Sequence, residues 1–170
     1  SLAEIEKRFS NEEKQQLTIK RLDRNIGFAA ACNNGIRESR FPFILFLNPD
    51  CTLSPNVIER LLQALQSDRQ IGMVGGRLLN ADGSEQGGSR RAIPTPWRAL
   101  VRASGLYHLA RFWPSLFFDF HLHKQALPQN PIEVEAISGA LMLVRREAID
   151  EVGNWDEGYF LHCEDLDWCM

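Results

Sequence analysis

Residues 41–47 form the longest uninterrupted apolar run in the chain, Phe41-Pro42-Phe43-Ile44-Leu45-Phe46-Leu47, and the run ends at Asn48-Pro49-Asp50. A strand that is apolar at every position is typical of a parallel sheet that is covered by helices on both faces. The run is far shorter than the ~20 residues that a membrane-spanning helix requires. It therefore predicts an internal strand of an α/β protein, followed by a polar turn.

The segments around this run alternate between helical and extended patterns. Apolar residues at helical spacing predict helices at residues 2–9, 28–36, 54–65, 97–112 and 146–152. Short β-branched or apolar runs predict strands at residues 17–22, 71–79, 132–137 and 140–144. We therefore expect one α/β sandwich over residues 1–170, with a mostly parallel central sheet and an irregular insertion at about residues 84–131.

Charge and cysteine content argue against several functional classes. Nineteen Lys and Arg residues against 22 Asp and Glu residues give a formal net charge of −3, which is unfavourable for binding a nucleic-acid backbone. The four cysteines form no C-x-x-C pair, so we expect reduced thiols and no zinc site. The first residues lack both an initiator Met and a secretory signal pattern. We expect an internal starting point and a cytoplasmic location.

The turn Asn48-Pro49-Asp50 is the first candidate site. Ligands of open α/β sheets bind at the carboxyl ends of the strands, which is where this turn is expected. A carboxylate there could hold a divalent cation whose remaining positions take diphosphate oxygens. The alternative is an ordinary type I turn, in which Asn and Pro occupy favoured positions.

The segment His162-Cys163-Glu164-Asp165-Leu166-Asp167-Trp168 is the second candidate site, with three carboxylates within four residues. Such crowding should raise the pKa of at least one carboxyl group, which suits a general base. The alternative is an acidic helix N-terminus that is stabilised by the helix dipole. We interpret Trp155 and Trp168 as packing residues first.

Two further segments could contact an anion. Gly27 opens a predicted helix, so its neighbouring backbone N–H groups could face a phosphate. Arg90 and Arg91 follow two glycines and could close over a diphosphate with bidentate hydrogen bonds. A solvated arginine pair is the alternative. The dinucleotide pattern G-x-G-x-x-G and the Walker phosphate-binding pattern are both absent from the sequence.

Four segments taken together resemble glycosyltransferase family 2, and its rhamnosyltransferase-like branch in particular. They are Asn25-Ile26-Gly27-Phe28-Ala29 with Asn33 and Gly35, Leu47-Asn48-Pro49-Asp50, Gly139 to Arg146, and Phe160 with Glu164-Asp165-Leu166-Asp167-Trp168-Cys169. The resemblance implies the GT-A fold, a Rossmann-like nucleotide-sugar-binding sandwich. It also implies an inverting transfer of rhamnose or another hexose from a dTDP- or UDP-sugar to a saccharide or lipid-linked saccharide in cell-surface polysaccharide synthesis, with Mg²⁺ or Mn²⁺ as cofactor.

Residue roles follow from the same resemblance, position by position. Asp50 corresponds to the metal-binding carboxylate, whereas Asn48 departs from the family's usual first Asp. Asp165 corresponds to the catalytic base, and Glu164 assists it or contacts the acceptor. The resemblance also implies two groups of binding residues. The donor-binding residues are Asn25, Gly27, Asn33, Asn48, Asp50, Arg90 and Arg91, and the acceptor-side residues are Gly139 and Trp168.

The chain also departs from the family. Members begin with a strand and a turn that grip the nucleobase and continue past the Trp-Cys segment, often through a further histidine. We therefore expect a chain that is truncated at both ends, with no base pocket and with weak or absent activity by itself. The other functional hypotheses are a non-catalytic glycan-binding or partner-binding remnant and a nucleotidyltransferase. The aromatic segment 113–120 suggests either peripheral membrane contact or a core-packed insertion.

Overall fold

A computed structural model describes residues 17–113, 116–117 and 127–170, so the helix predicted at residues 2–9 lies outside the described part. The helices are α1 (Phe28–Glu38), α2 (Val57–Ser67), α3 (Pro96–Ala103), the 3-10 helix Leu106–Arg111, α4 (Arg146–Val152) and α5 (Glu164–Trp168). The strands are β1 (Phe43–Leu47), β2 (Met73–Gly75), β3 (Arg90–Arg91), β4 (Ala136–Ile137) and β5 (Leu141–Arg145). Among the described helices, none is long and apolar enough to cross a membrane.

The main sheet has the strand order β1-β5-β2, and β5 is antiparallel to both of its neighbours. Leu47 pairs with Leu141 at one end of the β1-β5 ladder, and Phe43 pairs with Arg145 at the other. The predicted mostly parallel pairing is therefore not found among these strands. An all-apolar run indicates that both faces of a strand are covered, but it carries no information about strand direction, which depends on the connections.

Both faces of the sheet are covered, as predicted. Met142 and Val144 of β5 pack into a core with α1, α4, Trp155 and Trp168. Leu141 and Leu143 of the same strand pack into a second core with α2. Because successive side chains of a strand point to opposite faces, β5 separates two helical layers. The architecture is therefore the predicted α/β sandwich.

Several predicted strands are shorter than their apolar patterns. Residues 17–22 have no regular secondary structure, the strand predicted at 71–79 covers only Met73–Gly75, and the one at 132–137 covers only Ala136–Ile137. A strand ends where its backbone loses a hydrogen-bonded neighbour, and side-chain pattern does not report that neighbour.

Two helix boundaries also differ from the prediction. The helix α2 begins at Val57 rather than at Ser54, because Asn56 adopts a left-handed conformation with φ 62° and breaks the first turn. The helix predicted at 97–112 is two helices, since Gly105, with φ 75°, ends one and precedes the other. By contrast, α4 ends before Gly153 as predicted.

The insertion at 84–131 begins with a regular ribbon rather than a loop. The turn predicted at Asn80–Ser84 forms, with the Asn80 N–H donating to the Ser84 carbonyl at 2.8 Å. The strand β3 then pairs with β4, Arg90 opposite Ile137 and Arg91 opposite Ala136. This ribbon places the two arginines beside the segment that leads into β5.

Candidate functional site

The two acidic segments meet at residues 138–140, just before β5. The Asn48 N–H donates to the Ala140 carbonyl at 2.9 Å. The Gly139 N–H donates to Oδ2 of Asp165 at 3.1 Å. One short segment therefore joins the turn after β1 to the first residues of α5, although about 115 residues of sequence separate them.

The turn after β1 presents an exposed carboxylate. The Cys51 N–H donates to the Asn48 carbonyl at 3.2 Å, which closes the turn, and Asp50 is exposed while Asn48 is half-buried. No group of three or more His, Cys, Asp or Glu side chains in the described residues could hold a metal ion by itself. An exposed hard oxygen ligand instead suits Mg²⁺ or Mn²⁺ that takes its other ligands from a diphosphate and water.

Asp165 lies at the N-terminus of α5 and is mostly buried, with 16% of its side chain exposed. Its Oδ2 accepts hydrogen bonds from the Gly139 N–H and from the Arg91 guanidinium. The residues before it, His162 and Cys163, both have positive φ, 72° and 69°. Non-glycine residues rarely adopt this conformation, and two in succession mark a backbone that its surroundings hold in place.

Glu164 is buried, in contrast to its neighbour, and its Oε2 has no hydrogen-bond partner among the described residues. Burial of the Cys32 thiol on α1, and to a smaller extent the charge of Glu164, raise the pKa of that thiol to about 12. Cys32 therefore stays protonated and unreactive at neutral pH. Glu164 faces the core under α1, whereas Asp165 keeps part of its surface open.

The segment before α1 borders an open cleft of about 420 Å³. The Gly27 N–H donates to Oδ1 of Asn25 at 3.0 Å, and the Phe28 N–H donates to the Phe160 carbonyl at 3.1 Å. Gly27 has φ 88°, and a Cβ at this position would lie 2.8 Å from the Phe160 carbonyl oxygen. The cleft is lined by residues before α1, within α1 and before α5: Arg24, Asn25, Ile26, Ala30, Asn34, Glu157 and Phe160.

Asn33, a predicted donor ligand, is a buried structural residue with only 2% of its surface exposed. Its amide nitrogen donates to the Trp155 carbonyl and to Oε1 of Glu157, both at 2.9 Å, and its oxygen accepts from the Trp155 N–H at 3.1 Å. Both of its amide hydrogens are used inside the protein. The structure therefore does not support a donor-binding role for Asn33.

Trp168, predicted on the acceptor side, is also a core residue, with 8% of its surface exposed. Its indole stacks on Trp155 with ring centroids 4.3 Å apart, and its Nε1 donates to the Gly153 carbonyl at 3.0 Å. The interpretation of both tryptophans as packing residues is confirmed. Gly139 lies over the same aromatic core, and a Cβ added to it would lie 3.4 Å from the side chains of Trp155 and Asp165.

Arg90 and Arg91 form β3 and are not a solvated pair. Arg90 pairs with both carboxylate oxygens of Glu85, at 2.7 and 2.8 Å, and is 9% exposed. Arg91 pairs with Asp165. Adjacent residues of a strand point to opposite faces, so the two guanidinium groups serve different partners.

Sequence reasoning missed two residues that shape the site. The first is Glu85, which pairs with Arg90. The turn at Asn80–Ser84 places Glu85 opposite Leu79, and this turn was the sequence signal that could have indicated a short ribbon there. Cys32 of α1 packs against the core near Glu164, and no spacing rule pointed to it.

Comparisons with known proteins agree with this architecture. The family described as "Glycosyl transferase family 2" matches residues 1–153. The chain is 31% identical over 154 residues to an N-acetylglucosaminyl-diphospho-decaprenol L-rhamnosyltransferase of Mycobacterium tuberculosis, covering 84% of this chain and 48% of that protein. It is 27% identical over 149 residues to the low-salt glycan biosynthesis hexosyltransferase Agl10 of Haloferax volcanii, covering 85% and 42%.

A shorter match, 33% identical over 57 residues, joins the chain to the rhamnosyltransferase WbbL of Escherichia coli, covering 31% of this chain and 22% of that protein. Membership of this family implies the GT-A fold, and the α/β sandwich is consistent with it. The chain belongs to glycosyl transferase family 2 and resembles its rhamnosyltransferases. It spans about half the length of the longer-matching curated relatives, and the family match ends before α5.

Proposed function

We propose that this chain supplies catalytic residues of an enzyme that transfers a sugar from a nucleotide-diphosphate donor to a saccharide or lipid-linked saccharide acceptor in glycan synthesis. The observation that carries the proposal is the meeting of the Asn48–Asp50 turn and Asp165 at residues 138–140. One exposed carboxylate and one partly open carboxylate then border the same edge of the sheet. Family membership supports the reaction class.

In the proposed reaction the two carboxylates have different tasks. Asp50 would hold the divalent cation, and bound Mg²⁺ or Mn²⁺ supplies positive charge that stabilises the leaving diphosphate. Asp165 would take the proton of an acceptor hydroxyl as its oxygen attacks the anomeric carbon from the face opposite the diphosphate. The bond from that carbon to the diphosphate breaks, so the configuration inverts.

The names of the relatives support a narrower proposal for the substrates. Two of the similar proteins are rhamnosyltransferases and one is a hexosyltransferase, and one name includes a lipid diphosphate acceptor. We therefore propose rhamnose or another hexose as the donor sugar. A one-hydroxyl difference between sugars depends on individual polar contacts, so the donor has to be identified by binding.

We also propose that the protein works at the inner face of the cytoplasmic membrane. The supporting feature is an exposed apolar group of five residues, called here the aromatic patch: Trp97, Leu100, Phe112, Trp113 and Leu116. Arg90, Arg91 and Arg98 pair with carboxylates, whereas Arg102 and Arg111 of the same part of the chain are exposed. Aromatic and aliphatic side chains with neighbouring cations favour an anionic lipid surface.

The test of the proposed reaction is donor binding. The thermal midpoint is measured for this chain and for the full-length natural protein with dTDP-, UDP- and GDP-sugars, each with and without Mn²⁺. A ligand at 100 times its Kd adds ~2.7 kcal/mol of stability, which is easily detected. A Mn²⁺-dependent shift with one nucleotide sugar supports the transferase, whereas no shift in either protein would favour the non-catalytic remnant.

Two variants assign the carboxylates. Asp50→Ala should remove the Mn²⁺-dependent part of the donor shift, because that carboxylate is expected to contact the cation. Asp165→Asn should keep the shift and lower turnover by about 10²- to 10⁴-fold, the usual contribution of a general base. Normal turnover by Asp165→Asn would contradict the assignment of the base. Binding of nucleoside triphosphates with release of pyrophosphate would instead indicate a nucleotidyltransferase.

A further inference from the structure

The two oxygens of Asp165 have different surroundings. Its Oδ2 accepts from the Gly139 N–H at 3.1 Å and from the Arg91 guanidinium. No hydrogen bond within residues 17–113, 116–117 and 127–170 reaches Oδ1. The carboxylate is therefore anchored through one oxygen, and the other is left available.

Arg91 is itself fixed from two directions. Its backbone pairs with Ala136 in the β3-β4 ribbon, and the same guanidinium nitrogen that reaches Asp165 also donates to the Ile137 carbonyl at 3.2 Å. Its Nε is buried and has no partner among the described residues. Oδ2 of Asp165 thus accepts from two donors that belong to different segments, Arg91 of β3 and Gly139 before β5.

This arrangement differs from that of a phosphate-binding arginine. An arginine that binds the diphosphate of the sugar donor should present its guanidinium group to open space, where two of its N–H groups can donate to phosphate oxygens. The Arg91 side chain is only 23% exposed, and the nitrogen that reaches Asp165 is already shared with a backbone carbonyl. The arginine is built into the support of the carboxylate.

We propose that Arg91 is a positioning residue for Asp165, which holds Oδ2 so that Oδ1 alone takes the proton from the acceptor hydroxyl. This inference rests on the proposed function. In the proposed step the hydroxyl O–H bond breaks, the proton moves to Oδ1, and the hydroxyl oxygen bonds to the anomeric carbon as the nucleoside diphosphate leaves.

The geometry also persists when the carboxyl group is protonated. Once Oδ1 carries the proton, Oδ2 is a carbonyl-type oxygen, which still accepts hydrogen bonds. Arg91 and Gly139 therefore need not move between the two states of Asp165. A support that stays in place costs no reorganisation in the transition state.

The experiment compares Arg91→Lys and Arg91→Gln with Arg98→Gln in the full-length protein. Arg98 is a matched control, because it also pairs with one carboxylate, that of Glu135, and 22% of its side chain is exposed against 23% for Arg91. For each variant, kcat, the KM values for donor and acceptor, and the thermal midpoint are measured. Donor affinity is also measured directly without acceptor.

We expect Arg91→Gln to lower kcat by roughly 10²-fold, the usual effect of misplacing a reacting group, while donor affinity stays unchanged. Arg91→Lys should recover part of kcat because it keeps one cationic donor, and added guanidinium ion should partly restore Arg91→Gln. Arg98→Gln should lower the thermal midpoint without this loss of kcat. A raised donor KM with unchanged kcat in Arg91→Gln would overturn the inference and make Arg91 a donor ligand.

A second measurement separates this inference from the proposed reaction. Hydrogen exchange of the Gly139 amide reports its bond to Asp165, and it should accelerate in Arg91→Gln but not in Arg98→Gln. If the wild-type protein turns over no nucleotide sugar, the proposed function fails even when the exchange result holds. If turnover is normal and Gly139 exchange is insensitive to Arg91, the positioning role is wrong.

Discussion

The side-chain amide of Asn33 forms hydrogen bonds with both backbone groups of Trp155, donating at 2.9 Å and accepting at 3.1 Å. The two residues are 122 positions apart in the chain. These hydrogen bonds join α1 to the loop that leads to Asp165. They also give the buried backbone N–H and carbonyl of Trp155 their partners. The relation explains why an asparagine lies on the buried face of a helix.

Asn33→Ala should lower the free energy of unfolding by about 1–3 kcal/mol, because it leaves buried backbone groups without partners. Chemical denaturation measures the loss. Asn34→Ala is the control, since Asn34 is the next residue on α1. Among the described residues its side-chain amide donates to the Ala30 carbonyl of the same helix and accepts from exposed side chains such as Arg37. A large loss of donor affinity in folded Asn33→Ala would restore the predicted donor role.

Gly27→Ala should be destabilising for two separable reasons. The residue has φ 88° and ψ 166°, a region that is essentially confined to glycine and costs other residues about 1–3 kcal/mol. A methyl group would also meet the Phe160 carbonyl oxygen at 2.8 Å. We expect a lower thermal midpoint and a smaller shift with the donor, because the added methyl group would displace Phe160, which lines the cleft.

Gly153 supplies the control for this substitution. Its backbone has nearly the same conformation, φ 96° and ψ 178°, but among the described residues no atom other than those of its chain neighbours lies within 4 Å of a Cβ at that position. Gly153→Ala should therefore show the backbone cost alone. Equal destabilisation by the two substitutions would mean that the contact with Phe160 contributes nothing.

The covered faces of the sheet and the turn after β1 could be predicted from the sequence, because both depend on local pattern. The run Phe43–Leu47 is apolar at each position, and each of its faces does pack against helices. The antiparallel direction of β5 could not be predicted. It depends on how the chain returns through residues 84–140, and no local pattern encodes that path.

The residue types of the site could be predicted better than their partners. Asp50 lies in the predicted turn after β1, where it is exposed. The hydrogen bond from the Gly139 N–H to Asp165 was not predicted. The predicted donor contacts of Asn33 and Arg90 do not agree, because both side chains form buried bonds to distant or neighbouring parts of the chain. Polar side chains satisfy the nearest available donor or acceptor, and only the folded structure shows which one is nearest.

The stability of the fold should fall at alkaline pH through Cys32. Burial, and then the charge of Glu164, raise the pKa of the Cys32 thiol from 9.0 to about 12. Between these values the unfolded chain loses the thiol proton and the folded chain keeps it, so the free energy of unfolding decreases as pH rises. The upper limit is ~1.4 kcal/mol per pH unit, and partial solvent exposure reduces it.

Urea denaturation of wild type and Cys32→Ala between pH 8 and pH 10 measures this effect. The curves should converge as pH rises, because the variant has no thiol to ionise at residue 32. Cys169 has a raised pKa for the same main reason, burial, and is left in place in both proteins. Parallel curves over this range would show that Cys32 titrates alike in the folded and unfolded chains.

Anionic vesicles should bind the protein through the aromatic patch. Phe112 is 69% exposed and Trp113 is 56% exposed, so these two side chains are not packed in the core, while residues 114–115 and 118–120 lie outside the described residues. The double variant Phe112→Ser and Trp113→Ser should lower the partition coefficient onto phosphatidylglycerol vesicles by at least about 30-fold, since two buried rings together contribute over ~2 kcal/mol. Added salt should weaken binding of the wild type.

Phe41→Ser is the control, because Phe41 is an exposed aromatic residue outside the patch, with 73% of its surface exposed. It should leave vesicle binding unchanged. If Phe41→Ser lowers vesicle binding as much as the double variant does, the patch is not the binding surface. If the wild type binds neutral phosphatidylcholine vesicles equally well, the patch does not prefer anionic lipid.

The strand order β1-β5-β2 has a consequence for synthesis on the ribosome. Leu47 pairs with Leu141, so the middle strand leaves the ribosome 94 residues after the strand that it joins. At about 5–20 residues per second, β1 waits roughly 5–20 seconds for this partner. During that time an apolar segment with unpaired backbone groups is open to other nascent chains, and a chaperone that binds extended apolar peptides would protect it.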